Sequence, residues 1–112
     1  MAYTHKNLAA GDWQKLSLME QLGNIGSEVG RAKKWQNKDE KLFWGAVERA
    51  LELFDLTFRD SRWREQMYEI TRARETFSDA VLGGKEYRSN LEDLEKYFYY
   101  FALIAQNKIY GQ

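Results

Sequence analysis

Three carboxylates stand at helical spacing in the middle of the chain: Glu48, Glu52 and Asp55. Residues four and three apart share one face of a helix, so the three project together. A row of hard oxygen ligands suits magnesium, and Glu28, on an earlier segment, is the acid that would complete the set. Lys41 and Arg59 flank the same face. A solvated row of i, i+4 ion pairs accounts for this pattern more simply. No metal is therefore expected, and Glu28, Glu48, Glu52 and Asp55 remain weak alternative ligands.

Nucleophilic catalysis has even less to work with. His5 is the sole histidine, and there is no cysteine. Disulfides, thiolate zinc sites, cysteine nucleophiles and paired histidine ligands within one chain are excluded. No catalytic residue and no cofactor are expected.

Two groups of side chains suit binding rather than chemistry. Arg31, Lys33, Lys34, Lys38 and Lys41 gather around Trp35, and Lys85 and Arg88 occupy a later connection. Cations interleaved with aromatics can grip phosphates and stack bases. Asp39, Glu40 and Glu86 share the region and weaken its field. Solvated helix ends are the simpler reading, with nucleic-acid contact as the alternative. The second group is Tyr99, Tyr100, Leu103 and Tyr110. These project from the outer side of a C-terminal helix, where a contiguous aromatic strip marks an interface. Arg74 interrupts an apolar stripe and is the candidate for a partly buried ion pair.

The elements that carry these residues are four amphipathic helices. Ser17 and Glu20 form a capping box that opens the first, whose core stripe is Leu18, Leu22, Ile25, Val29 and Ala32. Gly23, Gly26 and Gly30 lie beside that stripe. Each interior glycine costs about 1 kcal/mol relative to alanine, which predicts close approach of fourth-helix aromatics. A ligand slot is the sharper alternative. Asn37 with Glu40 is expected to cap the second helix, which buries Phe43, Val47, Ala50, Leu51, Phe54 and Phe58. The third starts at Asp60 and Ser61, carries Trp63, Met67, Ile70, Arg74, Phe77 and Val81, and stops at Gly83 and Gly84. Ser89 with Glu92 is expected to cap the fourth, which buries Leu91, Leu94, Phe98, Phe101 and Ala105 beside Tyr97 and Ile104.

Short connections make sequential helices antiparallel neighbours, so the expected fold is an all-α, antiparallel up-down-up-down four-helix bundle over residues 17–110. Residues 1–16 form an N-terminal extension, with Trp13 and Leu16 over the bundle end and a mobile stretch before them. The chain of 112 residues is enough for one domain. It has no proline, which permits long uninterrupted helices. Seventeen basic residues balance seventeen acidic ones, which argues against coating nucleic acid through bulk charge. No leader-like or membrane-spanning apolar run is seen, so a cytoplasmic protein is expected.

Several segments carry a resemblance: residues 16–29 (LSLMEQLGNIGSEV), 48–53 (ERALEL), 72–75 (RARE) and 95–98 (EKYF). Over about residues 13–105 the chain is similar to a family of small uncharacterised prokaryotic proteins with no assigned activity. In length and architecture it is also similar to the four-helix proteins of the 23S rRNA intervening-sequence group. It is likewise similar to the accessory variability proteins of diversity-generating retroelements, which form rings and work with a reverse transcriptase and RNA. That likeness implies an RNA- or reverse-transcriptase-associated accessory role. Residues 52–55 (ELFD) resemble the Glu-x-x-Asp element of MazG-type pyrophosphohydrolases, which implies a magnesium-dependent nucleotide hydrolase. Of that family's second acidic element, Glu28 alone has a counterpart here. The Arg-x(4–6)-His motif of helical ribonuclease domains is missing.

The residues favour a non-catalytic bundle that associates with itself or a macromolecular partner. Its expected partners are a second copy or another protein, with nucleic acid as the alternative and no membrane.

Overall fold

The computed structural model describes residues 11–84 and 90–110, without the side chains of residues 102 and 104–110. Four α-helices carry the fold: α1 (Leu18–Trp35), α2 (Glu40–Phe58), α3 (Met67–Val81) and α4 (Leu91–Tyr110). Short 3-10 helices, Asp12–Lys15 and Ser61–Gln66, precede α1 and α3. The described residues are helix, turn and loop, without a strand. None of their helices is long and apolar enough to cross a membrane.

The helices form where the apolar period puts one face inward. All five members of the α1 stripe are buried, as are Phe43, Val47, Ala50 and Phe54 of α2. Each such aliphatic or aromatic side chain contributes about 1.5–3 kcal/mol when fully withdrawn from water. Leu51 and Phe58 are half-buried, while Ala46, Leu53 and Leu56 widen the buried face of α2. Phe54 stands at the centre, with its ring 6.1 Å from Phe77 and 6.0 Å from Phe98. It thereby joins α2 to both α3 and α4. Phe101 packs against the rim of this core. The side chains of Ile104 and Ala105 lie outside the described residues.

Helix ends follow local hydrogen bonding. The Ser17 hydroxyl accepts from the Glu20 amide at 3.1 Å, and the Glu20 carboxylate accepts from the Ser17 amide at 3.0 Å. Two other caps differ from expectation. Asp39, rather than Asn37, caps α2, accepting from the Leu42 amide at 3.0 Å. Asn37 instead adopts φ 64°, the left-handed turn that ends α1. Asn90, rather than the pair Ser89 and Glu92, caps α4, accepting from the Asp93 amide at 2.8 Å. Ser89 lies outside the described residues. At the end of α3, Gly83 and Gly84 take φ 108° and 73°, and the Gly84 amide returns to the Asp79 carbonyl.

Asp60 opens a 3-10 segment rather than an α-helix. Trp63 within it has non-helical angles, φ −103° and ψ 24°, and α3 proper begins at Met67. The residues before α1 are equally structured from Gly11 onward. Trp13 is completely buried, and its indole N–H donates to the Thr57 hydroxyl at 3.0 Å. Residues 1–10, including His5, lie outside the described residues.

Candidate functional site

The seam between α1 and α4 depends on its glycines. A methyl group at Gly26 would stand 2.5 Å from the Phe98 Cβ, so no side chain fits there without displacing the helix opposite. At Gly30 the nearest atom is the Glu95 Oε2, 2.6 Å from where a methyl would lie. Glu95 crosses Gly30 to reach Lys33, with Nζ to Oε1 at 2.9 Å. That hydrogen bond raises the Lys33 pKa above its ordinary value. Gly26 thus serves helix packing, while Gly30 leaves room for the Glu95 carboxylate.

Beyond the contact, the same seam opens outward into a groove of about 360 Å³. Gly23, Gly26, Ser27 and Gly30 line its α1 side, Tyr99 borders it from α4, and Arg31 and Lys34 stand at one end. Tyr99 and Tyr100 are 60% and 65% exposed, and Leu103 is also exposed. Two sets of residues read separately from the sequence therefore meet here: the outer tyrosines of α4 and the basic last turn of α1. The Tyr110 side chain lies outside the described residues.

The basic group is partly neutralised by the fold. Arg31 pairs with Glu28 at 2.6 Å, and Lys33 with Glu95. Lys34 lies 5.1 Å from the Trp35 ring centroid and is exposed, as are Lys38 and Lys41. Lys85 and Arg88 lie outside the described residues. A second groove, about 450 Å³, runs from Gln36, Asn37, Lys38 and Glu40 past Phe43 and the half-exposed Trp44 to Val81. It brings the first connection beside the end of α3.

Two of the four candidate carboxylates go to arginines, and a third, Glu52, is half-buried on α2. Glu28 is buried, with one oxygen on Arg31 and the other 3.0 Å from Arg49 Nε on α2. Asp55 pairs with Arg59 at 3.0 Å, and Glu48 is exposed. No group of three or more His, Cys, Asp or Glu side chains is placed to hold a metal ion among the described residues. Arg74 is half-buried on α3.

One buried constellation had no counterpart in the sequence reading. At the end of the bundle away from the basic cluster, Gln21 Nε2 donates to the Trp13 carbonyl at 2.9 Å and to Asp60 Oδ2 at 3.1 Å. Its carbonyl oxygen accepts from Trp63 Nε1 at 2.9 Å. Asp60 is also held by Arg62, whose guanidinium reaches the Leu16 carbonyl. The hydrogen bond from Arg62 is the main cause that keeps the Asp60 carboxyl below its ordinary 3.8, against the opposing effect of burial. Gln21 draws partners from two other segments, which satisfies a buried group and ties the turn before α1 to the connection between α2 and α3. The knot is a fastening rather than a reactive site, since Asp60 and Gln21 are both fully occupied.

A smaller apolar groove of about 140 Å³ lies between α1, α3 and α4, among Leu18, Leu22, Ile70, Ala73, Tyr97 and Phe101. Burial raises the pKa of the Tyr97 hydroxyl, and the nearby Glu69 adds to the effect. No family model matches this chain, nor does any curated protein or solved structure.

Proposed function

We propose that this chain acts without catalysis, by associating with a second copy or a macromolecular partner through the outer face of α1 and α4. The observation that carries the reading is the exposed pair Tyr99 and Leu103, one turn apart beside the glycine-lined groove, with Tyr100 exposed farther round the helix. Tyrosine suits such a face because its ring buries area while its hydroxyl stays hydrated. Of the charged candidates, Glu28, Arg31 and Lys33 are paired within the fold, while Lys34, Lys38 and Lys41 are exposed. We read the four helices as an antiparallel up-down-up-down bundle. Supporting this course, Glu95 near the start of α4 meets Lys33 near the end of α1, while Phe101 shares a groove with Leu18.

The test is multi-angle light scattering over a range of concentrations, together with affinity capture, on the wild type and on Tyr99→Ser with Tyr100→Ser. Association that weakens in the double variant at unchanged helicity is the expected result. A monomer that captures no partner removes the reading.

A second reading has its own observation: Arg31, Lys34 and Tyr99 line one groove, a pairing of cation and aromatic that suits single-stranded RNA. This is the RNA-associated accessory role. Phosphate contacts make binding fall steeply with salt. Absence of binding to a mixed RNA pool at low salt eliminates it.

A further inference from the structure

The α1–α4 face carries a ridge and a valley side by side, and that arrangement is self-complementary. The ridge is Tyr99 with Leu103, one turn apart on α4. The valley is the small-residue surface of α1 at Gly23 and Ser27, bounded by Phe98 and by the Glu95 carboxylate that lies over Gly30. Resting on the association reading above, we propose that the occupant of this face is a second copy of the chain, related by a two-fold axis that runs along the seam, parallel to α1 and α4. An isologous contact needs each patch to match itself after rotation. Rotation about an axis along the seam lays each ridge in the other copy's valley. Rotation about an axis across the helices stacks ridge on ridge and valley on valley, leaving the tyrosines nothing to fill.

Charge selects the same arrangement. The last turn of α1 is basic, with Lys33 and Lys34, and the first turn of α4 is acidic, with Glu92 and Asp93. The Lys33–Glu95 bridge puts these two turns at the same level of the bundle. An axis along the seam keeps that level, so the exposed Lys34 of each copy comes over the exposed Glu92 region of its partner subunit, where Glu92 holds only the loose, solvated neighbour Lys96 at 3.9 Å. Opposite charges then meet twice, once on either side of the axis. The balanced composition, 17 basic and 17 acidic residues, adds no net repulsion between copies.

Sedimentation equilibrium on the full chain tests this. The wild type is expected to dimerise, and Tyr99→Ser with Leu103→Ser to raise the dissociation constant by roughly a hundredfold or more while helicity is retained. Lys34→Glu and Glu92→Lys should each weaken the dimer alone, by about tenfold or less. An equimolar mixture of these two single variants should recover the wild-type affinity, because every cross-copy contact is again between opposite charges. Repulsion inside one chain would not be relieved by mixing, so recovery on mixing is specific to this interface. A chain that is monomeric at every concentration overturns the proposal, as does a dimer indifferent to Tyr99 and Leu103, or single-charge variants that fail to recover on mixing. Capture of RNA or another protein by a monomer that loses it on Tyr99→Ser would also overturn the proposal, while leaving the association reading intact.

Discussion

The distance between α1 and α4 is set at Gly26, where Phe98 occupies the space a methyl group would need. Alanine there gains about 1 kcal/mol of helix propensity but meets a Cβ that cannot swing aside. We expect Gly26→Ala to lower stability by about 1–2 kcal/mol in urea titration, the cost of overpacking exceeding the gain. Gly30→Ala meets the end of a flexible carboxylate instead, so it should be neutral or stabilising by up to about 1 kcal/mol, at the expense of an exposed Lys33 bridge. Asp60 offers a third test. Its carboxyl titrates lower when folded than when unfolded, so the stability it adds is present above the unfolded value of about 4. That contribution is lost as pH falls through the folded value. Asp60→Ala should cost about 2–3 kcal/mol at neutral pH and flatten the acid limb of the stability profile. The close approach of a fourth-helix aromatic at Gly26 was legible in the sequence, because a costly residue demands a compensating contact; the glutamate over Gly30 was not. The polar knot was not. Gln21, Asp60 and Arg62 are types that ordinarily face water, and the bond between Gln21 and Asp60 joins residues 39 apart.

Among the elements, the short 3-10 turns matter as much as the long helices. The turn before α1 delivers Trp13 into the core, where its ring and its bond to Thr57 close one end of the bundle. Trp13→Ala should cost about 3–5 kcal/mol by chemical denaturation, as for other large buried aromatics. Trp13→Phe keeps much of the ring and leaves the Thr57 hydroxyl without its donor, so a smaller loss of about 1–3 kcal/mol is expected. Helix existence and the inward faces followed from the 3.6-residue period. The Ser17–Glu20 capping box followed from residue type, but two other caps did not, because adjacent candidates compete. Asn37 and Asp39 both have cap-forming side chains, and the tighter geometry of the turn gave the left-handed position to the asparagine and the cap to the aspartate. The same competition placed Asn90 at the start of α4. The 3-10 segment from Ser61 to Gln66 was hidden inside an unbroken apolar period, since Trp63 keeps its spacing while its backbone leaves the helical region.

For the whole molecule, three fastenings hold the bundle: the phenylalanine cluster at its centre, the polar knot at one end, and Glu28 between Arg31 and Arg49 along the flank. What they leave uncovered is the outer face of α4. If that face joins two copies, association stabilises the folded state by mass action. The thermal midpoint of the wild type should then rise with protein concentration, and that of Tyr99→Ser with Leu103→Ser should not; differential scanning calorimetry at several concentrations distinguishes the two. The acidic row of α2 and the basic end were legible as surface features. The i, i+4 pair of Asp55 with Arg59 was legible too; the pairs of Glu28 with Arg49 and of Lys33 with Glu95 were not, because they join residues 21 and 62 apart.

The burial of Trp13 gives the protein an optical gauge of its own. This indole sits in a dry setting while Trp44 is 41% exposed, so in a Trp35→Phe, Trp63→Phe background, which removes the two half-buried indoles, the emission of Trp13 and Trp44 should be separable. A bulky fluorescence quencher in solution should dim the second and spare the first. Loss of that selectivity would signal that the bundle end had opened, even while circular dichroism still reported intact helices.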